Sequence, residues 1–269
     1  MKFKYCLIFI LMILSSCASQ KKFAYDFVKK SKGTEVAFYV PNELLKNNIR
    51  KDCQIEKLCD IEFEDIQDTI DARTKIVNKI DEKLFLDVLI SSFESTLQDY
   101  NLSLVYWENE TTTPDSLHWV VDLSQLEILE YTEYVWTTCG LDANYEMVPV
   151  VGVNVAAWFD LINDGEKTNL LFTEQNLYEQ ICDCYYVKDS LNNVVVNVEI
   201  QRLAIENFYD FAVALGRLYA GYSFDYFMND YVKKEFKKRC LEYPEDTYLR
   251  YDPYEMYIYY TRKDKLIEL

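Results

Sequence analysis

The chain has 269 residues, 28 Lys+Arg against 45 Asp+Glu, a formal net charge of −17 and a single His. Half of the residues are hydrophobic, enough for a sizeable core and too many for a wholly disordered chain. The negative balance excludes nucleic-acid binding through clustered Lys and Arg, and one His leaves little room for His-based metal sites.

Lys2 and Lys4 form a short basic n-region, followed by an apolar run from Tyr5 to Leu14. That run is far shorter than the roughly 20 residues needed to cross a bilayer and has the size of a secretory h-region. It ends in Leu14-Ser15-Ser16-Cys17, which resembles the lipobox of bacterial lipoproteins. The resemblance implies cleavage between Ser16 and Cys17, a diacylglycerol on the Cys17 sulfur and an acylated (palmitate-type) new N-terminus. Acyl chains bury roughly 0.8 kcal/mol per CH₂, so the chain would be held on a membrane through lipidated Cys17. Ala18 and Ser19 follow, with no Asp in the second place; by similarity to known sorting signals this implies the outer membrane. Gln20, Lys21 and Lys22 are not an acidic cluster, which points to a periplasmic body, with the cell surface as the alternative. Residues 1–16 thus read as a signal peptide and 17–34 as a lipid-anchored tether. Lys21, Lys22, Lys29, Lys30 and Lys32 make this leader basic, either as a solvated tether or as a contact for anionic headgroups.

Glu35 to Val40 reads as a strand closed by Pro41, and Asn42 to Arg50 has a helical composition. Residues 51–72 carry Asp60, Glu62, Glu64, Asp65, Asp68 and Asp71, but lack the alternating ligands and central Gly of a calcium loop. Asp81 to Tyr100 is a helix, with Leu86, Leu89, Phe93, Leu97 and Tyr100 at three- and four-residue steps. Leu102 to Trp107 is a strand, and the turn Glu108 to Asp115 leads to another, in which Leu117, Trp119, Val121 and Leu123 alternate with polar residues. After Gln125 the apolar phase slips to Leu126 and Ile128, the mark of a β-bulge. The longest alternation is Val151, Val153, Val155, Ala157, Phe159 and Leu161; it ends at the hairpin signal Asn163-Asp164-Gly165, with Asn169 to Thr173 as the returning partner. A further strand runs from Val194 to Ile200. Ile205 to Tyr226 then reads as a long helix whose second apolar row, Phe211 and Leu218, suits packing on a sheet. Cations from Lys233 to Arg239 complement its negative end.

This order predicts an α+β fold: a single domain over 35–242 with a mainly antiparallel curved sheet and helices packed on one face, followed by a Tyr-rich C-terminal tail, 243–269. From Glu35 to Lys238 the order of elements resembles the periplasmic auxiliary lipoproteins of ABC-type transport systems. The resemblance implies an accessory role without an activity of its own.

Of the cysteines, Cys53 and Cys59 lie close together in a polar segment and are candidates for a local disulfide, while Cys139, Cys182, Cys184 and Cys240 complete the six that follow Cys17. Cys182-Asp183-Cys184 lacks the second close pair that a zinc site needs. His118 shares a strand face with Asp122, a pairing that a hydrolase could use, but a surface histidine is the simpler reading. Gly221-Tyr222-Ser223-Phe224-Asp225 lacks the second Gly of a nucleophile elbow, and no phosphate loop is present. No catalytic, cofactor or metal residue is assigned. The tyrosines from Tyr243 to Tyr260 could dock a partner or stack on a sugar, or else wrap the domain and cover a sheet edge. The sequence therefore points to a non-enzymatic, lipid-anchored interaction module with an envelope protein as partner. A surface glycan- or nutrient-binding lipoprotein is the alternative, and an envelope hydrolase the remote one.

Overall fold

The computed structural model describes residues 20–50, 73–105, 119–140, 144–163, 165–167, 170–244, 247–262 and 266–269. Helix α1 covers residues 20–30. It is followed by strands β1 (Glu35–Tyr39) and β2 (Leu45–Asn48), a 3₁₀ turn at Val77–Lys79, helix α2 (Glu82–Asp99) and β3 (Ser103–Val105). Two long strands, β4 (Trp119–Cys139) and β5 (Asn144–Asn163), lead to β6 (Glu166–Lys167), β7 (Leu171–Tyr178), β8 (Gln180–Lys188) and β9 (Val194–Gln201). Helix α3 (Ile205–Lys238) precedes β10 (Tyr248–Asp252), β11 (Tyr257–Thr261) and β12 (Ile267–Glu268).

The main sheet runs β12-β7-β5-β4-β1-β3, with β2 also on β4 and β6 on β5. β4, β5 and β7 pair antiparallel, as the alternating runs predict, and the β4–β5 register shifts between Leu123 and Gln125, where the apolar phase slips. The sheet is nonetheless mixed, which corrects the mainly antiparallel expectation: β1 is parallel to both β3 and β4, and β2 is parallel to β4. The physical reason is the crossover. α2 lies between β1 and β3, long enough to return the chain to the same end of the sheet, whereas a tight turn can only reverse it. The stretch expected to be helical, Asn42 to Arg50, instead holds β2, whose pairing with Glu127–Glu130 of β4 overrides a weak local preference.

α2 starts where Asp81 caps it, its carboxylate accepting from Leu84 N–H at 3.0 Å. α3 is buried on many sides because it has several partners at once. Tyr219 meets Phe159 edge to face at 5.0 Å, and Phe227 stacks on Trp119 at 4.8 Å. Gly216 faces α2: a Cβ there would overlap the Leu89 carbonyl oxygen and stand 2.9 Å from Phe93 N, so the two helices touch backbone to backbone. The Tyr-rich tail forms the β10–β11 hairpin on α3. Asn229 behaves as a strand neighbour to it, its Nδ2 donating to Leu249 O at 2.8 Å and its Oδ1 accepting from Leu249 N–H at 2.9 Å. Asp225 accepts from Tyr251 N–H at 3.0 Å and from Arg250 Nε at 3.2 Å. Beyond the hairpin, β12 adds to the open edge of β7.

Two expected boundaries move. Within the stretch read as a tether, residues 20–30 are helical and bury Phe23, Ala24 and Phe27 in the core, with Phe27 stacked on Trp119 at 5.3 Å. Large aromatic rings on successive turns of one helix face outweigh the solvation of the lysines beside them. Within the tail, Leu249, Ile258 and Leu266 are buried in the same core, so the described part of 243–269 belongs to the body.

Candidate binding surface

Along β4, Leu126, Ile128 and Glu130 point to the core and are fully buried. A carboxylate at such a depth requires partners. Glu130 has four: its Oε1 accepts from Arg50 Nη1 at 3.1 Å and Lys75 N–H at 3.0 Å, and its Oε2 from Ile76 N–H at 2.8 Å and Val77 N–H at 3.1 Å. It thus satisfies the open N–H groups at the start of the 3₁₀ turn and closes the core at that level. One step away, buried Glu179 accepts from Val151 N–H at 2.9 Å, Arg202 Nη1 at 3.0 Å and Lys75 Nζ at 3.1 Å. Burial alone would push the Glu179 carboxyl up, but the Val151 N–H and the Lys75 and Arg202 cations outweigh it and hold it below the usual range. Lys75 links the two acids, by its backbone to one and its ammonium to the other. With their oxygens committed in this way, the two acids tie the 3₁₀ turn, β5 and Arg202 to the sheet at this level.

Past Glu130 the same face of β4 continues with Thr132, Tyr134, Trp136 and Thr138, opposite Val151, Pro149, Met147 and Tyr145 of β5. The pleat that buries Leu126 and Ile128 therefore carries large apolar side chains beyond the last covered position. Tyr134 is 38%, Trp136 65%, Met147 52% and Tyr145 69% exposed. These four form a stripe across a two-stranded arm.

The opposite face of the arm is covered in part, with Glu133 and Val135 left exposed. Val148 and Cys139 are buried there, and a disulfide joins Cys139 to Cys184 of β8. Gly140, with φ +71°, brings its backbone within contact of the Tyr186 ring: a Cβ would lie 3.3 Å from Tyr186 Cδ2. The Gly140 N–H donates to Cys184 O at 3.1 Å, and Tyr186 Oη donates to Glu146 at 3.3 Å. The β8–β9 pair is thus clamped to one side of the arm, and the aromatic stripe is left on the other. Trp136 also stands at the edge of a groove of about 530 Å³, lined by Glu133, Val135, Thr137, Tyr178, Gln180 and Ile181. Beside it Tyr131 packs edge to face on Tyr178 at 6.3 Å, and burial, reinforced by the Tyr178 hydroxyl, pushes the Tyr131 phenol up.

Several residues singled out in the sequence lie outside the described residues: Ser16, Cys17, Cys53, Cys59 and His118. Asp122 sits on the outward face of β4, opposite Asp160 and beside Tyr39 of β1. Cys182 and Cys184 are not a dithiol pair: Cys184 is bonded to Cys139, and Cys182 is an exposed free thiol. Ser223 is buried in the interior of α3, where no elbow can form. Among the described residues no cluster of His, Cys, Asp or Glu could hold a metal ion, and no helix is long and apolar enough to cross a membrane. Sequence reading missed β8, the Cys139–Cys184 bridge and the stripe. The stripe had a signal: carrying the parity of Leu126 and Ile128 onward leads through Tyr134 to Trp136.

No protein-family model matches the chain, and no curated protein matches it. Among solved structures, one chain similar to it is described as a neuraminyllactose-binding hemagglutinin homolog from Helicobacter pylori, with 8% identity and a TM-score of 0.36, covering 76% of this chain and 90% of that one. At that score the likeness carries no argument about this protein.

Proposed function

We propose that the protein is a non-enzymatic, lipid-anchored module of a bacterial cell envelope that binds a protein partner through the aromatic stripe of its β4–β5 arm. Attachment through Cys17 rests on the Leu14-Ser15-Ser16-Cys17 motif behind a basic n-region and a short apolar run. The observation that carries the binding role is the continuation of the core-facing pleat into solvent as Tyr134, Trp136, Met147 and Tyr145. Trp and Tyr dominate interface energetics, giving large rigid contact area with a polar end. The disulfide and the β8–β9 cover hold the arm from behind, so little ordering is needed on binding. The likeness in element order to auxiliary lipoproteins of ABC-type transport systems agrees with an accessory role.

A photo-crosslinking side chain placed at Trp136 in cells tests this directly. The expected result is a discrete adduct that disappears with Tyr134→Ala and Tyr145→Ala and is absent when the probe is placed at exposed Gln98 on α2. Equal adducts from both positions, or none from Trp136, would overturn it. A second reading, binding of a glycan or other nutrient, is favoured by the groove at Trp136, where an indole stands beside Glu133 and Gln180. Saturable binding of a soluble sugar, abolished by Trp136→Ala and Glu133→Ala together, would decide for it.

A further inference from the structure

Resting on the lipidation of Cys17 proposed above, a second surface acquires a role. Only Ala18 and Ser19 separate Cys17 from Gln20, the first described residue of α1. At 3.8 Å between successive Cα atoms, Gln20 lies at most about 11 Å from the acylated residue. Gln20 is no loose leader: it is fully buried, and its Nε2 donates to Thr247 Oγ1 at 3.0 Å. Whatever surrounds the start of α1 is therefore held close to the lipid headgroups.

Those surroundings are basic and aromatic, in a chain whose formal charge is −17. Phe23 meets Phe236 at 5.6 Å, and the Arg239 guanidinium lies 4.5 Å from the Phe23 ring centre, so the last turns of α3 lie beside the first turn of α1. This juxtaposition gathers Lys21, Lys22, Lys233, Lys237, Lys238 and Arg239 at one end of the body. On the other flank, Lys21 Nζ donates to Tyr257 Oη at 3.1 Å and sits 4.6 and 5.1 Å from the Tyr257 and Tyr260 rings. Among the described residues the acids near this end are Asp26, Glu235 and Glu242, with Asp230 and Glu166 paired to Lys234 and Asp252 opposite Tyr257; Glu235 is paired with Lys238 and Arg239, and Glu245 and Asp246 follow in sequence outside the described residues. Juxtamembrane cations draw a surface to anionic lipid, and Tyr is favoured at the headgroup level.

We propose that the end formed by the first turn of α1, the last turns of α3 and β11 seats against an anionic bilayer surface. This seating sets the direction of the arm. Trp119 stacks on Phe227 and Phe159 meets Tyr219, with Phe159 paired to Leu123, so β4 runs antiparallel to α3. From Trp119 the strand leads on to Trp136, up to about 56 Å along its path at 3.3 Å per residue, away from the end of α3 that carries the cations. The stripe is then held out from the membrane.

Among the described residues two exposed free thiols report on this: Cys240, next to Arg239, and Cys182 on β8. The lipidated chain is placed in vesicles of phosphatidylcholine with or without phosphatidylglycerol and treated with a bulky, membrane-impermeant maleimide. Modification at each thiol is followed by mass spectrometry. On anionic vesicles Cys240 should react at least fivefold more slowly relative to Cys182 than in neutral detergent. The Lys22→Gln/Lys237→Gln/Lys238→Gln variant should lose that protection. Vesicle-bound, lipidated protein with an unchanged Cys240-to-Cys182 ratio, or equal protection on neutral vesicles, would overturn this inference alone. Absence of lipid on Cys17 would overturn the anchoring reading and this inference with it.

Discussion

Replacing the Cys139–Cys184 disulfide by Ala at both positions tests whether the arm is rigid because it is clamped from behind. The bond spans a sequence separation of 45 and is buried at both ends, Cys139 fully and Cys184 almost so. For a closed loop of that length, chain entropy of the unfolded state gives about 13 cal/mol/K, or about 4 kcal/mol at 25 °C. Part of the loss should also appear as local opening. β8 and β9 form a two-stranded sheet of their own, and an isolated two-stranded sheet is marginal in water. Around the bridge the pair is held by Gly140 N–H to Cys184 O and by Tyr186 to Glu146. Local opening of β8–β9 should therefore become easier by up to about 4 kcal/mol, roughly a thousandfold in exchange rate, and amides of α2 and α3 that exchange only on global unfolding should lose up to the same amount. Hydrogen exchange read by mass spectrometry resolves these segments. Cys182→Ser is the control, since its exposed thiol makes only a long contact to Gln180 O, and it should leave exchange unchanged. Exchange in β8–β9 accelerated less than about fivefold, which corresponds to about 1 kcal/mol, would refute the clamp.

Glu130→Ala should cost about 3–5 kcal/mol in urea denaturation, because it removes the Glu130 carboxylate from the nearly buried Arg50 guanidinium and strands the N–H groups of Lys75, Ile76 and Val77; Glu133→Ala on the exposed arm should fall within about 0.5 kcal/mol. A loss below about 1 kcal/mol for Glu130→Ala would show that the knot is not what closes the core. Glu179 gives a signed pH dependence. Its carboxyl is held below the unfolded value, so its contribution is complete above about pH 4.3 and is lost as pH falls through the lower folded value. Glu179→Gln should lower stability at neutral pH and flatten the acid limb below about pH 4.5; an acid limb of unchanged slope contradicts this.

Much of the framework is legible in local sequence patterns. The alternation from Val151 to Leu161, the slip after Gln125 and the steps from Leu86 to Tyr100 are local periodicities, and each corresponds to an observed strand, register shift or helix. Such patterns survive folding because they record which face of one element is buried. The Leu-Ser-Ser-Cys motif is local in the same sense, and it carries the anchoring proposal by itself. What the pattern could not contain was the choice of partners. That β1 and β2 lie parallel to β4 depends on a crossover. That α1 joins the core depends on Trp119 being present to receive Phe27, and that Cys184 bonds Cys139 instead of pairing with Cys182 depends on β8 lying against the arm. Glu130 reads as one more acid among 45 until three backbone N–H groups and an arginine converge on it. The stripe shows the division most plainly. Sequence parity determines that Tyr134 and Trp136 share the face of Leu126 and Ile128, but only the tertiary structure decides where the cover over that face ends, because burial is a property of the neighbours and not of the strand.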